Sequence, residues 1–369
     1  MMKIRVLAFL WLSALLLDSC SSGKAAYKQG DYYQAVLTAI NRLRQNPDHR
    51  KSREILGLSY AAAVEFLETD AKNQIASDAN FKWNRAVENY QKINTLYEEI
   101  KRSPGASQII ANPVSRYKEL TEVKGKAAEE AYEAGIQAML KNSRAEAKRA
   151  YFLFADVQKL SPGYRETIEM MNQAEYNATF RVAYSEVNAS RENFTLQQAL
   201  TPVNRQFLKF YTGAQALSEN VPIDHQLQLV YRGVNFPREA NTSSATEKLE
   251  KDIQVAEKVV NGKKEPVYEK VTAEVRTYTR SYRVTAEGVV QVTDVKSNGM
   301  AMNETLQGDA NWTWQWATYS GDQRALSDNQ RNLAKRKEAW PDRDELAKNA
   351  RQDLVNNITN TVRRFYSAY

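Results

Sequence analysis

Two kinds of hydrophobic spacing, met one after the other, predict an α+β protein. An N-terminal array of helices is followed by a C-terminal, mainly antiparallel sheet packed with helices. From Lys24 to about Met171, apolar residues recur at three- and four-residue intervals, the period of an amphipathic helix. Near Tyr176 the interval drops to two and β-branched and aromatic residues become frequent, as in half-buried strands. Glycine (14) and proline (9) are scarce in 369 residues, which leaves few breaks between long ordered elements. A chain of this length accommodates two domains of ordinary size. The change of period divides it into a leader over 1–19, a helical domain over 20–175 and an α+β domain over 176–369.

The leader sets the expected location. Lys3 and Arg5 precede an apolar run from Val6 to Leu17 that only Ser13 interrupts. That run is about a dozen residues long, short of the roughly 20 that a bilayer core requires, and it reads as a secretory signal. It ends in Leu17-Asp18-Ser19-Cys20-Ser21-Ser22-Gly23. This resembles the bacterial lipoprotein signal, in which a Leu stands three places before a Cys and a small residue directly precedes it. The resemblance implies that the Cys20 thiol is diacylated and that Cys20 becomes the first residue of the mature chain. Asp18 departs from the pattern, which has a small or apolar residue there. Cys20 is the only cysteine, so it has no disulfide partner, and acylation accounts for an otherwise unpaired exported thiol. Two or three acyl chains anchor firmly where one is marginal. No acidic residue follows Cys20 directly, unlike the signals for inner-membrane retention or for surface export in Bacteroidota. The expected position is therefore the outer membrane, facing the periplasm.

The helical domain carries three related segments. The first is Gly30-Asp31-Tyr32-Tyr33-Gln34-Ala35, continued by Ala39, Leu43 and Pro47, after which Leu56-Gly57 and Tyr60 open the next helix. The second has Ala86, Tyr90 and Ile93 without the proline. The third has Ala150, Phe154, Val157 and Pro162, with the same Ala-to-Pro interval as the first. Small residues let paired helices approach closely, and a proline ends a helix because it lacks the amide donor. Over roughly 150 residues this resembles the tetratricopeptide (TPR) repeat, a helix-turn-helix unit of about 34 residues. Uneven intervals require insertions near Ser103-Pro104-Gly105 and Asn112-Pro113. The resemblance implies a TPR-like solenoid whose stacked helix pairs present a surface to a partner protein. The named apolar residues themselves are expected to pack helix on helix.

In the C-terminal half, residues 178–184 alternate and predict a strand, followed by a helix over 196–217 and a strand over 226–236 containing Leu227, Leu229 and Tyr231. Residues 243–260 predict a helix, with Thr246 as cap and Leu249, Ile253, Ala256 and Val260 on one face, stopped by Asn261-Gly262. Pro266 opens a strand with Val267, Val271, Ala273 and Val275 inward and Tyr268, Lys270, Glu274, Arg276 and Tyr278 on a wet face. Residues 289–295 continue the sheet, Asn298-Gly299 reads as a two-residue hairpin, and 311–319 returns as the last strand. A closing helix over 342–366 carries Leu346, Leu354, Ile358 and Val362.

Chemical sites are few. Trp312, Trp314 and Trp316 alternate with Thr313 and Gln315, so in a strand the three indoles share a face. Exposed, they form a stacking platform for sugar rings or another protein; buried, they are core beneath the closing helix. Only two histidines, His49 and His225, are present, so no zinc site of three His or Cys ligands can be assembled. Asn261-Gly262-Lys263 lacks the preceding glycine of a phosphate loop, and no cofactor is expected. A carboxylate pair with glycosidase geometry stays open, since separation is invisible in sequence. Loss of the leader removes two cations and one anion from a net charge of +7, leaving +6. The charges are dispersed, with no basic run beyond three residues, which argues against nucleic acid.

Two functional classes result: a non-catalytic envelope scaffold or assembly lipoprotein that holds a protein partner, and a glycan-binding or glycan-processing lipoprotein that uses the Trp run. Both rest on the anchor. Replacing Cys20 with Ser is expected to move the protein from the membrane to the soluble fraction of lysed cells; undiminished membrane association would contradict lipid attachment.

Overall fold

The computed structural model describes residues 23–260 and 263–369, so Cys20 and Asn261-Gly262 lie outside the described residues. The chain forms two compact units that meet in sequence between Ala178 and Thr179. Each is described by itself.

The first unit is helical: α1 (Lys24–Lys28), α2 (Tyr32–Gln45), α3 (Arg50–Ala76), α4 (Lys82–Lys101), α5 (Pro104–Ser107), α6 (Tyr117–Leu140), α7 (Arg144–Leu160) and α8 (Thr167–Ala178). Side chains satisfy the amides that helix starts leave unpaired. Asp31 accepts from the Gln34 amide at 3.1 Å, Ser143 from Glu146 at 3.3 Å, and His49 Nδ1 from Ser52 at 3.3 Å. The long helices pack chiefly against their neighbours in sequence, over three successive apolar clusters. Ala35 and Ala39 are completely buried, as are Leu56, Ala150 and Phe154. Between α6 and α7, Gly135 is required by close approach: a Cβ there would stand 2.6 Å from the Phe154 ring. The connection after α5 is held by side chains of the helices it crosses. Tyr60 Oη accepts from the Val114 amide at 2.5 Å, and Asn94 Oδ1 from the Arg116 amide at 2.6 Å.

The second unit is a six-stranded mixed sheet with helices: β1 (Phe180–Asn188), β2 (Leu208–Thr212), β3 (His225–Asn235), β4 (Asn241–Val260), β5 (Lys263–Asp294) and β6 (Gly299–Gly321). β1 pairs parallel with both β2 and β3, so the sheet is not simply antiparallel. β3, β4 and β6 are antiparallel to β5. β3 covers residues 285–294 of β5 and β4 covers 263–281, while β6 spans 273–294. β3 and β4 therefore lie end to end along one edge of β5, and β6 occupies the other.

Three sequence expectations are corrected here. The helix expected over 196–217 is replaced by 3-10 turns at Gln197–Ala199 and Thr201–Val203, then β2 and a short α9 (Gly213–Ser218). Pro202 cannot donate to a helix ladder, and the β-prone Leu208–Thr212 finds a parallel partner in β1. The helix expected over 243–260 is β4. Leu249, Ile253, Ala256 and Val260 do share one face, because a bulge between Gln254 and Ala256 shifts the alternation by one residue. Their partners Ala273, Glu269, Val267 and Lys263 are all odd-numbered on β5, so spacings of four, three and four fit a bulged strand as well as a helix. Finally, Asn298-Gly299 is not a two-residue loop. Asp294 pairs with Gly299 across residues 295–298; the Asp294 carboxylate accepts from the Ser297 amide at 2.6 Å, and Asn298 adopts φ +53°.

β5 changes its buried side along its length. Val271, Ala273 and Val275 are buried against Ala325, Leu326 and Leu333, a cover completed by α10 (Asp328–Ala334). Tyr282, Val284, Ala286, Val290 and Val292 are buried on the opposite face, under Leu346, Ala350, Leu354, Ile358 and Val362 of α11 (Arg343–Phe365). α11 lies so close to β6 that a Cβ on Gly308 would sit 2.0 Å from the Leu354 nitrogen and 2.3 Å from the Ala350 oxygen. Its side chains also finish the β6 edge: Asp353 accepts from the Asp309 amide at 2.9 Å and Asn357 donates to the Gln307 carbonyl at 2.8 Å. Gly308→Ala is expected to destabilise the sheet unit by about 2–4 kcal/mol through backbone overlap. Gly57→Ala, on an open helix surface, should be neutral or stabilising by up to about 1 kcal/mol. Urea unfolding of the two variants measures the contrast.

Candidate functional site

The alternation of β6 does put Trp312, Trp314 and Trp316 on one face, opposite Tyr282, Arg280 and Tyr278 of β5. They form neither a free platform nor simply core under α11. Trp316, 9% exposed, stacks on Tyr278 with ring centres 5.1 Å apart and planes 8° from parallel. The Arg280 guanidinium lies 5.1 Å from the Trp316 ring and 4.0 Å from the Trp340 ring, so one cation is sandwiched between two indoles. Arg280 also donates to the Ala339 carbonyl at 3.1 Å and to Thr242 Oγ1 at 3.2 Å, and forms an ion pair with Glu338. Trp314 donates its indole N–H to the Lys337 carbonyl at 2.9 Å, with Arg336 5.2 Å from its ring. Trp312 stacks on Trp314 at 6.4 Å and borders the α11 core. Residues 336–340 thus lie across the tryptophans, and Trp340, 65% exposed, is the outermost ring. Sequence reading missed Arg280, Tyr278 and Trp340. The Arg276-x-Tyr278-x-Arg280-x-Tyr282 alternation was the available signal, but its register against β6 depends on the loop over 295–298.

The helical unit carries a cleft of about 660 Å3 among α3, α4 and α6. Ile75, Trp83, Tyr90, Val123 and Tyr164 supply apolar and aromatic wall; Glu119, Glu122, Glu129 and Lys126 supply charge. Lys126 pairs with Glu129 at 3.1 Å and Arg116 with Glu119 at 3.6 Å. Glu122 forms no ion pair or hydrogen bond among the described residues, and leaves the cleft with an uncompensated negative charge. Burial, then the charges of Glu68 and Glu119, raise the Tyr90 phenol. A second hollow of about 410 Å3 brings Gly30, Asp31 and Tyr33 together with Phe66 and Lys92. The other repeat-like residues are dispersed as packing: Tyr60 is buried between helices, while Pro47 and Pro162 are exposed just past helix ends.

On the sheet face opposite α11, a hollow of about 340 Å3 is lined by Ser185, Gln226, Gln228, Gln291 and Thr293 with no charged side chain. Several acid–base groups elsewhere in the sheet unit are engaged in holding it together. Glu192 accepts from Tyr231 Oη at 2.5 Å, from Arg351 at 2.6 Å and from the Val234 amide at 3.1 Å. Burial, reinforced by Glu192, pushes the Tyr231 phenol up to about 12. Burial opposes the Glu192 charge, yet its donors Tyr231, Arg351 and Val234 hold the carboxyl below its ordinary value. His225 is buried in an aromatic cage of Phe180, Tyr366 and Tyr369, with Nε2 3.4 Å from Asp294. His49 serves as the cap of α3. Among the described residues no helix is long and apolar enough to cross a membrane.

The chain matches no known family model, and a comparison with curated proteins finds no relative. Arg280→Lys keeps the charge but loses the planar fork that bridges Trp316, Trp340 and Ala339. The variant is expected to lose about 2–3 kcal/mol of stability. It should also be cleaved faster by trypsin at Lys335–Lys337 than the native chain.

Proposed function

We propose that this is a non-catalytic envelope lipoprotein, anchored through acylated Cys20 and facing the periplasm, whose helical unit holds a partner protein. The observation that carries the reading is the cleft among α3, α4 and α6. Its walls of Trp83, Tyr90 and Tyr164 offer desolvated aromatic area, and Glu122 places an uncompensated carboxylate beside them. Such a cleft suits a partner segment that brings a basic side chain flanked by apolar ones. A TPR-like arrangement is supported by the contacts of α1 with α2, α3 with α4 and α6 with α7, with the small residues of the repeat pattern buried. Stacked pairs of this kind leave a long surface for one partner.

Glycan contact is the second reading, and one observation favours it: the uncharged amides and hydroxyls around Gln226, Gln228 and Gln291 are suited to sugar hydroxyls. It no longer leans on the tryptophans, whose ring faces are occupied by Arg280, Arg336 and Tyr278.

Affinity capture from detergent-solubilised envelopes distinguishes the two. The native chain is expected to recover a discrete protein partner, and Glu122→Lys to weaken that capture about tenfold or more by setting like charges together. Capture of no protein, or equal capture by the variant, would overturn the partner reading.

A further inference from the structure

β4 leaves one whole edge open. It is twenty residues long, contains no proline and buries none of its residues. Among the described residues its only pairing is with β5. Long open edges are templates for another strand, and natural proteins normally shorten, bulge or charge them. β4 is charged, but in a pattern that complements itself.

The direction of the peptide groups follows from the pairing. The Thr272 carbonyl accepts from the Asp322 amide on the β6 side, so even-numbered residues in this part of β5 turn their peptide groups to β6 and odd-numbered ones to β4. Leu249, opposite Ala273, therefore bonds inward, and Lys248 and Glu250 present their N–H and C=O groups outward. The strand runs straight from Asn241 until the bulge that follows Gln254.

We propose that β4 pairs antiparallel with β4 of a second copy of this chain, about a two-fold axis at Leu249, joining the two sheets into one. In that register Lys248 faces Glu250 of the other copy and Glu247 faces Lys251, each pair occurring twice. Thr246 faces Asp252, Ala245 faces Ile253, and Leu249 faces itself. No like charges oppose one another. The smallest slip that keeps the hydrogen-bond phase is two residues. One direction sets Lys248 against Lys248, and the other sets Glu250 against Glu250. Slips of four residues oppose Glu247 or Lys251 to its own copy. The six-residue slip toward the C-terminus opposes Asp252 to its own copy and runs the ladder into the bulge, and the six-residue slip toward the N-terminus leaves Glu247, Lys248, Glu250 and Lys251 each opposite an uncharged residue. Lys248 and Lys251 have no ion-pair partner among the described residues, and both are exposed. Glu250 pairs only with the exposed Lys270, at 3.4 Å. Among the described residues Glu247 is in no ion pair and accepts from the Gln330 side chain at 2.9 Å in an exposed hydrogen bond, so the two lysines lack a partner and the two carboxylates hold only exposed contacts. This inference is independent of the partner held by the helical unit.

Sedimentation of the full chain in detergent tests it. The native chain is expected to dimerise. Lys248→Glu with Lys251→Glu places four like-charge contacts in the seam and should weaken the dimer at least about tenfold. Adding Glu247→Lys and Glu250→Lys inverts both charge pairs and should restore native dimerisation, which separates a lost seam from a misfolded variant. On a Cys20→Ser background, Leu249→Cys should form a disulfide-linked dimer under mild oxidation, because directly opposed residues of this kind are close enough to bridge. A monomeric native chain, a double variant that dimerises as the native does, or a fourfold variant that stays monomeric would each overturn the proposal.

Discussion

Any stretch of a β-strand has two edges and two faces, and the whole sheet unit is organised by how β5 uses them. Along one edge β5 meets β4 and then β3; along the other it meets β6 without interruption. Its odd-numbered face is covered near Val271–Val275 and its even-numbered face from Arg280 to Val292. A two-stranded ribbon is marginal alone in water, whereas a third strand with an apolar face gives independent stability. Among the described residues β4 and β6 pair with no strand but β5, which joins them into a three-stranded sheet. The switch of buried face also explains why two separate segments, 323–334 and α11, cover opposite sides. Neither could cover both ends, because successive side chains of a strand point to opposite faces.

The tryptophan–arginine layer fills the region between those two covers. Residues 335–342 join α10 to α11 and have few apolar side chains with which to bury themselves. They are held instead through their carbonyls, by Arg280 and by the Trp314 indole, and through Trp340 laid over Arg280. A guanidinium between two indoles is worth more when water is excluded than at an open surface, and Arg280 is 7% exposed. The same indoles cannot serve both this segment and a ligand. The asymmetry between the two long edges is similar in kind. Asp353 and Asn357 finish the β6 edge from α11, while the outer edge of β4 has no such cover.

In the helical unit close approach is achieved by removing side chain rather than adding it. Ala35, Ala39 and Gly135 let neighbouring helices come together, and Phe154 fills the space that Gly135 leaves. Close-packed pairs are rigid, and openings appear where three helices meet instead of two, as among α3, α4 and α6.

Much of this was legible in the chain itself. The helical period, the strands expected over 178–184 and 226–236 and the apolar stripe of α11 all depend on residues near one another in sequence, and local spacing states them. So does the shared face of Trp312, Trp314 and Trp316. The tertiary structure alone decided three things, each set by residues brought from far away. Leu249, Ile253, Ala256 and Val260 satisfy a helix or a bulged strand equally, and only the hydrogen bonds offered by β5 choose the strand. The Trp face is closed by Arg280 and residues 336–340, whose register against β6 is set by the loop over 295–298. The mixed sheet arises because β1 inserts between β2 and β3. Local period records which side of an element is apolar; what lies against that side is a long-range property, because backbone hydrogen bonds and packing faces are satisfied by whichever segment the fold delivers.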